Sequence, residues 1–148
     1  MTPKVAYAFA SAFVSLLHEK LGRLPSLCVA RDSRPSGPAL QTAVADAFVA
    51  SGCSVTDLGV VATPTAGVMI NGLHADGGII VTASHNPTPW NGIKCLDGDG
   101  LAPNVDDAQE IIRRFSINIS LDEQEGGTIE TNTQGNDTHI SKLLGAIR

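Results

Sequence analysis

Leu27-Cys28-Val29-Ala30, cut short by Arg31-Asp32-Ser33-Arg34-Pro35-Ser36-Gly37, is the stretch from which the fold can be read. Four apolar residues bounded by charge and turn formers predict a buried strand that ends in a loop. Ser36 is placed to cap a following helix, with Pro38 tolerated in its first turn. Leu40, Val44, Ala47 and Phe48 then recur at helical spacing until Ser51-Gly52, ahead of a second apolar segment around Val55 to Leu58. The pattern repeats: Thr63-Pro64 opens a helix through Val68, Met69 and Ile70, Asn71-Gly72 closes it, and Gly78 to Thr82 (GIIVT) predicts a third buried strand. Two successive βαβ units imply a parallel sheet with right-handed crossovers, so the loops beginning near Arg31, Gly59 and Ala83 emerge at one sheet edge. Ligands of open α/β sheets bind at that edge, which puts Arg31, Asp32 and Arg34 against Ala83 to Asn91.

Outward from this centre, Thr2-Pro3 reads as an N-cap followed by a first helical residue. Val5, Phe9, Phe13, Leu16, Leu17 and Leu21 carry that helix to Gly22. Gly92 to Leu96 predicts a fourth strand, possible in antiparallel orientation, and Val105 to Phe115 a helix whose Asp106 and Asp107 lead and whose Arg113 and Arg114 trail, as the helix dipole favours. The fold expected is a three-layer α/β/α domain over residues 1–115 with a mostly parallel mixed sheet of about four strands. Residues 116–138 are polar, with Gly126-Gly127 and no sustained period, and read as a linker or loosely paired strands. Ile140, Leu143, Leu144 and Ile147 form an apolar stripe, so 139–148 is expected to start an interdomain helix or a second domain, the chain being a fragment.

The 148 residues carry 10 basic and 15 acidic side chains, a net charge of −5 with pI near 5.2. That balance argues against nucleic acid and membrane surfaces as partners, since both favour clustered positive charge. No apolar run approaches the roughly 20 residues that span a bilayer, and the N-terminus lacks a signal-peptide pattern, so a cytoplasmic location is expected. Cys28, Cys53 and Cys95 are widely spaced and read as small core residues rather than as a zinc or disulfide set.

Chemistry concentrates in Thr82-Ala83-Ser84-His85-Asn86-Pro87, followed by Trp90-Asn91-Gly92-Ile93-Lys94. A serine leaving a buried strand into a proline-stiffened loop is open to substrate, and its neighbour His85 can exchange protons near neutral pH. From the residues alone two readings stand, a nucleophilic site and an ordinary polar turn.

T-A-S-H-N-P with N-G-I-K downstream resembles the phosphoserine loop of the α-D-phosphohexomutases. The match continues in order through Arg31-Asp32-Ser33-Arg34-Pro35-Ser36-Gly37, Gly59 and Thr63-Pro64, and covers about Thr2 to Phe115. The resemblance implies phosphoglucomutase, phosphomannomutase or phosphoglucosamine mutase chemistry: hexose or hexosamine 1-phosphate and 6-phosphate are interconverted through a sugar 1,6-bisphosphate. In that scheme Ser84 carries the phosphoryl group, and Mg²⁺ binds Ser84 through its phosphate. Glucose 1,6-bisphosphate or a similar sugar bisphosphate acts as activator. The implied partners are a sugar phosphate and the remaining domains of the same enzyme.

Lys94 resembles the family lysine that moves a proton at the sugar hydroxyl, a task suited to a lysine in a buried setting; a surface lysine after a strand is the plainer reading. His85 either assists Ser84 or is a hydrogen-bonded loop histidine. Arg31 and Arg34 either offer charge to phosphate or brace the loop through Asp32, bracing being favoured, and Asn86 is expected to hold the loop. Asp97-Gly98-Asp99-Gly100 has too few acids for a metal loop and reads as a turn. The family's F-G-T-x-G-x-R-G strand-loop and its D-G-D-x-D metal loop are missing from this sequence, so the chain alone is expected to be inactive. The alternative function is a non-catalytic domain that binds a phosphorylated ligand or a protein partner. A serine hydrolase is disfavoured, because G-x-S-x-G is absent and no acid is evident for His85.

Overall fold

Thr2 starts the first helix as its position before a proline implies: its hydroxyl accepts from the Val5 amide in the computed structural model, which describes residues 1–147. Helix α1 (Pro3–Leu21) ends at Gly22, whose φ of 68° is the left-handed cap that glycine adopts without a Cβ penalty. Strand β1 (Ser26–Arg31), helix α2 (Gly37–Ala50), strand β2 (Ser54–Val60), helix α3 (Thr63–Gly72) and strand β3 (Gly77–Val81) follow as the two βαβ units predicted. Strand β4 (Ile93–Asp97) runs antiparallel to β3, and Asn104 caps helix α4 (Val105–Ser116) by accepting from the Asp107 amide. The last elements are strand β5 (Thr128–Thr131) and helix α5 (Gly135–Ala146).

The sheet order is β4-β3-β1-β2-β5, with every pairing parallel except β3 with β4. Alternation along the strands sorts the core into two layers. Leu27, Val29, Val55, Ile79 and Val81 pack with Phe13, Phe48 and Ile111 under α1, α2 and α4. Cys28, Ala30, Leu58, Ile80 and Leu96 pack with Ala66, Met69 and Ile70 of α3. Phe13 and Phe48 are essentially fully buried, each contributing about 1.5–3 kcal/mol relative to an exposed ring. The three-layer α/β/α class is therefore as expected, and the three cysteines lie in or against the core, where burial pushes the Cys28 and Cys95 thiols up to about 12 and the Cys53 thiol, burial first and the Asp76 charge second, up to about 11.

Several local details differ from the sequence reading. The sheet gains a fifth strand, because Thr128–Thr131, in the stretch read as linker or loose strands, pairs with Ser54–Asp57 at the edge. The buried stripe of α1 is Ala6, Ala10, Phe13 and Val14, while Val5 and Leu21 are exposed. Ser36 does not cap α2: its φ and ψ are helical, and its hydroxyl instead accepts from the Asn91 side chain at 2.9 Å. Helix α5 packs on α3 through Gly135 and through a hydrogen bond between His139 Nδ1 and Thr65 Oγ1 of 2.9 Å, which leaves Ile140, Leu143 and Leu144 each more than half exposed. Among the described residues no helix is long and apolar enough to cross a membrane.

The topology decides where a ligand site belongs. The chain moves from β1 outward to β2, then returns across β1 to β3, so the connections run to opposite sides of β1 and the carboxyl ends of adjacent β1 and β3 form a switch point.

Candidate active site

Arg31 and Val81 end adjacent strands in register, and the two loops that leave them meet at that switch point. The β1 pairing with β2 shifts register between Val29 and Arg31, a bulge at the strand end of the kind that re-aims side chains. Thr82 is the hinge between the loops. Its amide donates to the Gly92 carbonyl, continuing the β3–β4 ladder, and its hydroxyl donates to Asp32 Oδ2 at 2.8 Å. The same hydroxyl accepts from the Ser84 amide at 3.0 Å.

Ser84 is exposed and has φ 55°, a left-handed conformation uncommon for a side chain other than glycine, asparagine or aspartate. Held there, it lines an open cavity of about 430 Å³ with Asp32, Ser33, Arg34, Asn86 and Thr88. His85 Nδ1 stands 3.4 Å from Ser84 Oγ, at the outer limit of a hydrogen bond. No carboxylate bonds to His85 among the described residues, so the pair has no third member of the hydrolase kind.

The arginines differ in surroundings. Arg34 is largely buried beneath the loop and donates to Asp32 and to main-chain carbonyls of the Ser84 segment. Arg31 donates from Nε to Gln41 Oε1 at 3.0 Å and from Nη1 to the Asp32 carbonyl, while its Nη2 has no partner among the described residues. Buried Gln41 in turn donates to Asp57 Oδ1 at 2.6 Å, and that oxygen also accepts from the Gly59 amide. Helix α2 and strand β2 are thereby tied to the loop after β1. Burial alone would raise the Asp32 carboxyl, but hydrogen bonds from the Thr82 hydroxyl and from the Arg34 amide and guanidinium outweigh it and hold Asp32 below its ordinary value.

Asn86 donates its amide to the Ala83 carbonyl and gives its carbonyl to Arg34, which makes it part of the loop's frame. Lys94 pairs with Ile80 across the strands and therefore lies on the α3 face of the sheet, near its carboxyl edge. It is exposed and has no hydrogen bond or ion pair with the described residues, so the burial expected for a proton-transfer lysine is not supplied by this chain. The Asp97–Gly100 turn sits at the opposite end of the sheet, since Asp97 pairs with Gly77 at the start of β3. Asp97 Oδ1 accepts from the Asp99 and Leu101 amides, as a turn carboxylate does. Among the described residues no group of three or more His, Cys, Asp or Glu could hold a metal ion.

Arg31, Arg34, Ser84, His85, Asn86 and Lys94 are legible in the sequence as candidates, whereas the roles of Thr82, Gln41 and Asn91 emerge only from the fold. Thr82 stands inside the T-A-S-H-N-P string and could have been suspected there. Gln41 carries no local signal, being one more polar residue on an amphipathic helix.

Residues 1–121 match the family model described as phosphoglucomutase/phosphomannomutase, alpha/beta/alpha domain I. A phosphoglucosamine mutase of Arthrobacter is 37% identical over 99% of this chain and 33% of its own length. A phosphoglucomutase/phosphomannomutase of Thermococcus kodakarensis is 40% identical over 68% of this chain and 22% of its own length. The crystal structure of a phosphoglucomutase/phosphomannomutase family protein from Burkholderia thailandensis superposes with a TM-score of 0.80 at 30% identity, covering 98% of this chain and 32% of that one. The chain thus spans a third or less of the length of these relatives.

Proposed function

Because this chain belongs to the α-D-phosphohexomutase family, as its phosphoglucomutase/phosphomannomutase domain I, we propose that Ser84 is the phosphoryl carrier of an enzyme that interconverts hexose or hexosamine 1-phosphate and 6-phosphate. The observation that carries the reading is Ser84 itself: an exposed hydroxyl in a left-handed conformation, at the switch point of a parallel sheet, in a loop bound from below by Asp32, Thr82 and Arg34.

In the proposed cycle the sugar hydroxyl oxygen attacks the phosphorus on Ser84. The new O–P bond forms as the Ser84 Oγ–P bond breaks, and the hydroxyl proton passes to a base. Lys94 and His85 are the bases this chain offers, Lys94 at the amino end of antiparallel β4, beside the carboxyl end of β3, and His85 beside Ser84. The resulting sugar 1,6-bisphosphate reorients, and its other phosphoryl group returns to Ser84 Oγ. In-line transfer of this kind depends on positioning and charge, which a rigid loop supplies. Arg31, with a guanidinium nitrogen open among the described residues, is available at this site to an incoming phosphate.

The donors among the described residues do not build a Mg²⁺ site by themselves, and the share this chain would bring to one is the phosphate on Ser84. Mg²⁺ would supply charge neutralisation at that phosphate, with the other oxygen ligands contributed by a further domain. The partners proposed are a sugar phosphate, a sugar bisphosphate activator and the remaining family domains, and a cytoplasmic setting suits such substrates.

The test is peptide-mapped mass spectrometry of a chain that also carries the remaining family domains, after incubation with glucose 1,6-bisphosphate and Mg²⁺. The expected result is stoichiometric phosphate on Ser84 that disappears when sugar monophosphate is added. A folded protein in which Ser84 takes up no phosphate would move the assignment to a non-catalytic domain that binds a phosphorylated ligand.

A further inference from the structure

Resting on Ser84 as the phosphoryl carrier, we infer that Asp32 and Arg34 form a positioning unit that sets the polarity of the Ser84 loop, Arg34 organising the surroundings of an anion on Ser84 without touching it. A guanidinium has five N–H bonds. In Arg34, Nε donates to Asp32 Oδ2 at 2.9 Å, Nη1 to the Pro87 and Trp90 carbonyls at 2.9 and 3.0 Å, and Nη2 to the Ser84 and Asn86 carbonyls at 2.7 and 2.8 Å. Every donor is engaged, so no N–H of Arg34 is left for a phosphate.

The consequence for the loop is electrostatic. Four carbonyl oxygens, the atoms that would repel an anion, are gathered onto one buried cation. The amides of His85 and Thr88 have no acceptor among the described residues, and Pro87 and Pro89 contribute no N–H. A left-handed residue just before such amides is the kind of backbone turn in which main-chain N–H groups are aimed at an anion, and Ser84 has that conformation. Asp32 fixes the other side of the unit. Its Oδ1 accepts from the Arg34 amide, and its Oδ2 takes both the Arg34 Nε and the Thr82 hydroxyl that receives the Ser84 amide. The unit is distinct from a charge simply placed near the phosphate, and lysine separates the two. Arg34→Lys keeps the charge but offers three donors on a flexible stem, which cannot span four carbonyls.

The experiment installs phosphoserine at position 84 of this chain by genetic incorporation and follows its second ionisation by ³¹P NMR, alongside hydrogen exchange of the Ser84–Asn91 amides. In the unsubstituted chain the midpoint is expected below the free phosphoserine value of about 6. Arg34→Lys is expected to raise it by about 0.5 pH unit or more and to speed loop exchange about tenfold or more. A substitution that only loosened the scaffold elsewhere would leave the ³¹P midpoint alone. Asp32→Asn, nearly isosteric, is the second variant should the lysine chain fail to fold, and is expected to shift the midpoint in the same direction. Native values of both readouts in these variants would overturn the inference. So would a midpoint that rises in Arg34→Met but not in Arg34→Lys, because charge alone would then suffice. No sugar takes part, so a Ser84 phosphate that never discharges to a sugar phosphate would end the mutase reading and leave this result standing.

Discussion

Asp32 and Ser84, fifty-two positions apart, are joined by one hydroxyl: Thr82 Oγ1 donates to the Asp32 carboxylate at 2.8 Å and accepts from the Ser84 amide at 3.0 Å. A threonine at the end of a buried strand thus transmits the position of one loop to the next. The left-handed backbone of Ser84 persists because its amide is held by Thr82 and its carbonyl by Arg34.

That conformation has a thermodynamic signature. Ser84→Ala and Ser84→Gly both remove the hydroxyl, but only glycine removes the Cβ that the left-handed region disfavours. Glycine at 84 is expected to be more stable than alanine by about 1 kcal/mol, both being unable to carry phosphate. Thermal melts of the two variants check this, and equal melting temperatures would refute the strain.

Gly67 of α3 and Gly100 of the turn after β4 approach backbone to backbone, so that a Cβ on either would collide with the carbonyl of the other. Gly67→Ala is expected to cost about 1–3 kcal/mol by prising the turn from the helix. Gly72, at the end of the same helix, has open space around it, and Gly72→Ala is expected to be neutral or stabilising by up to about 1 kcal/mol. Denaturant titration of the pair distinguishes a steric cause from a general intolerance of α3.

Acid should unfold the domain through its paired carboxylates. The Arg23 guanidinium, with the Ser26 amide and against the effect of burial, holds Asp76 below its ordinary value. Hydrogen bonds from Arg113 and then Arg114 lower Glu110 to about 2. A depressed carboxylate contributes stability that is fully present above its unfolded value near 4 and is lost as pH falls through the folded value. Melting temperatures are therefore expected to hold between about pH 7 and 5 as far as these groups go and to fall from about pH 4 toward 2, less steeply in Asp76→Asn. Melts that stay level down to pH 2 would contradict the assignment.

Helix α5 is the least secured element. Its one buried residue is Gly135, and its polar tie to α3 is the Thr65–His139 hydrogen bond. Its amides are expected to exchange through a local opening well below the global unfolding free energy, and Thr65→Val to lower that opening by about 1 kcal/mol while the α1–α4 amides keep native rates. Hydrogen exchange with mass detection reads both. Uniform protection across α3 and α5 would show that the two helices open together.

What local sequence determined was whatever depends on a residue and its near neighbours. Thr2-Pro3 and Gly22 bound α1 because capping and left-handed φ are set within a turn of chain. The runs at 27–30 and 78–82 became central strands because burial on both faces demands apolar residues, whereas β2 keeps Thr56 and Asp57 half-exposed between buried Val55 and Leu58. The T-A-S-H-N-P string marked the loop, and the βαβ order brought Arg31, Asp32 and Arg34 to it.

Tertiary structure decided what pairing over long separations controls. Thr128–Thr131 is exposed throughout and too short to fix its own pairing, although three of its four residues are β-branched; it is a strand because β2 presents an edge with free hydrogen-bonding groups. The Asp97–Gly100 turn is excluded from the site because β4 runs antiparallel and delivers it to the far end of the sheet. The Ser36 hydroxyl accepts from Asn91 instead of capping α2, and Arg34 found its carbonyl partners in a loop about fifty residues away. No local window contains both ends of such contacts, so composition and periodicity leave them open until the chain has closed on itself.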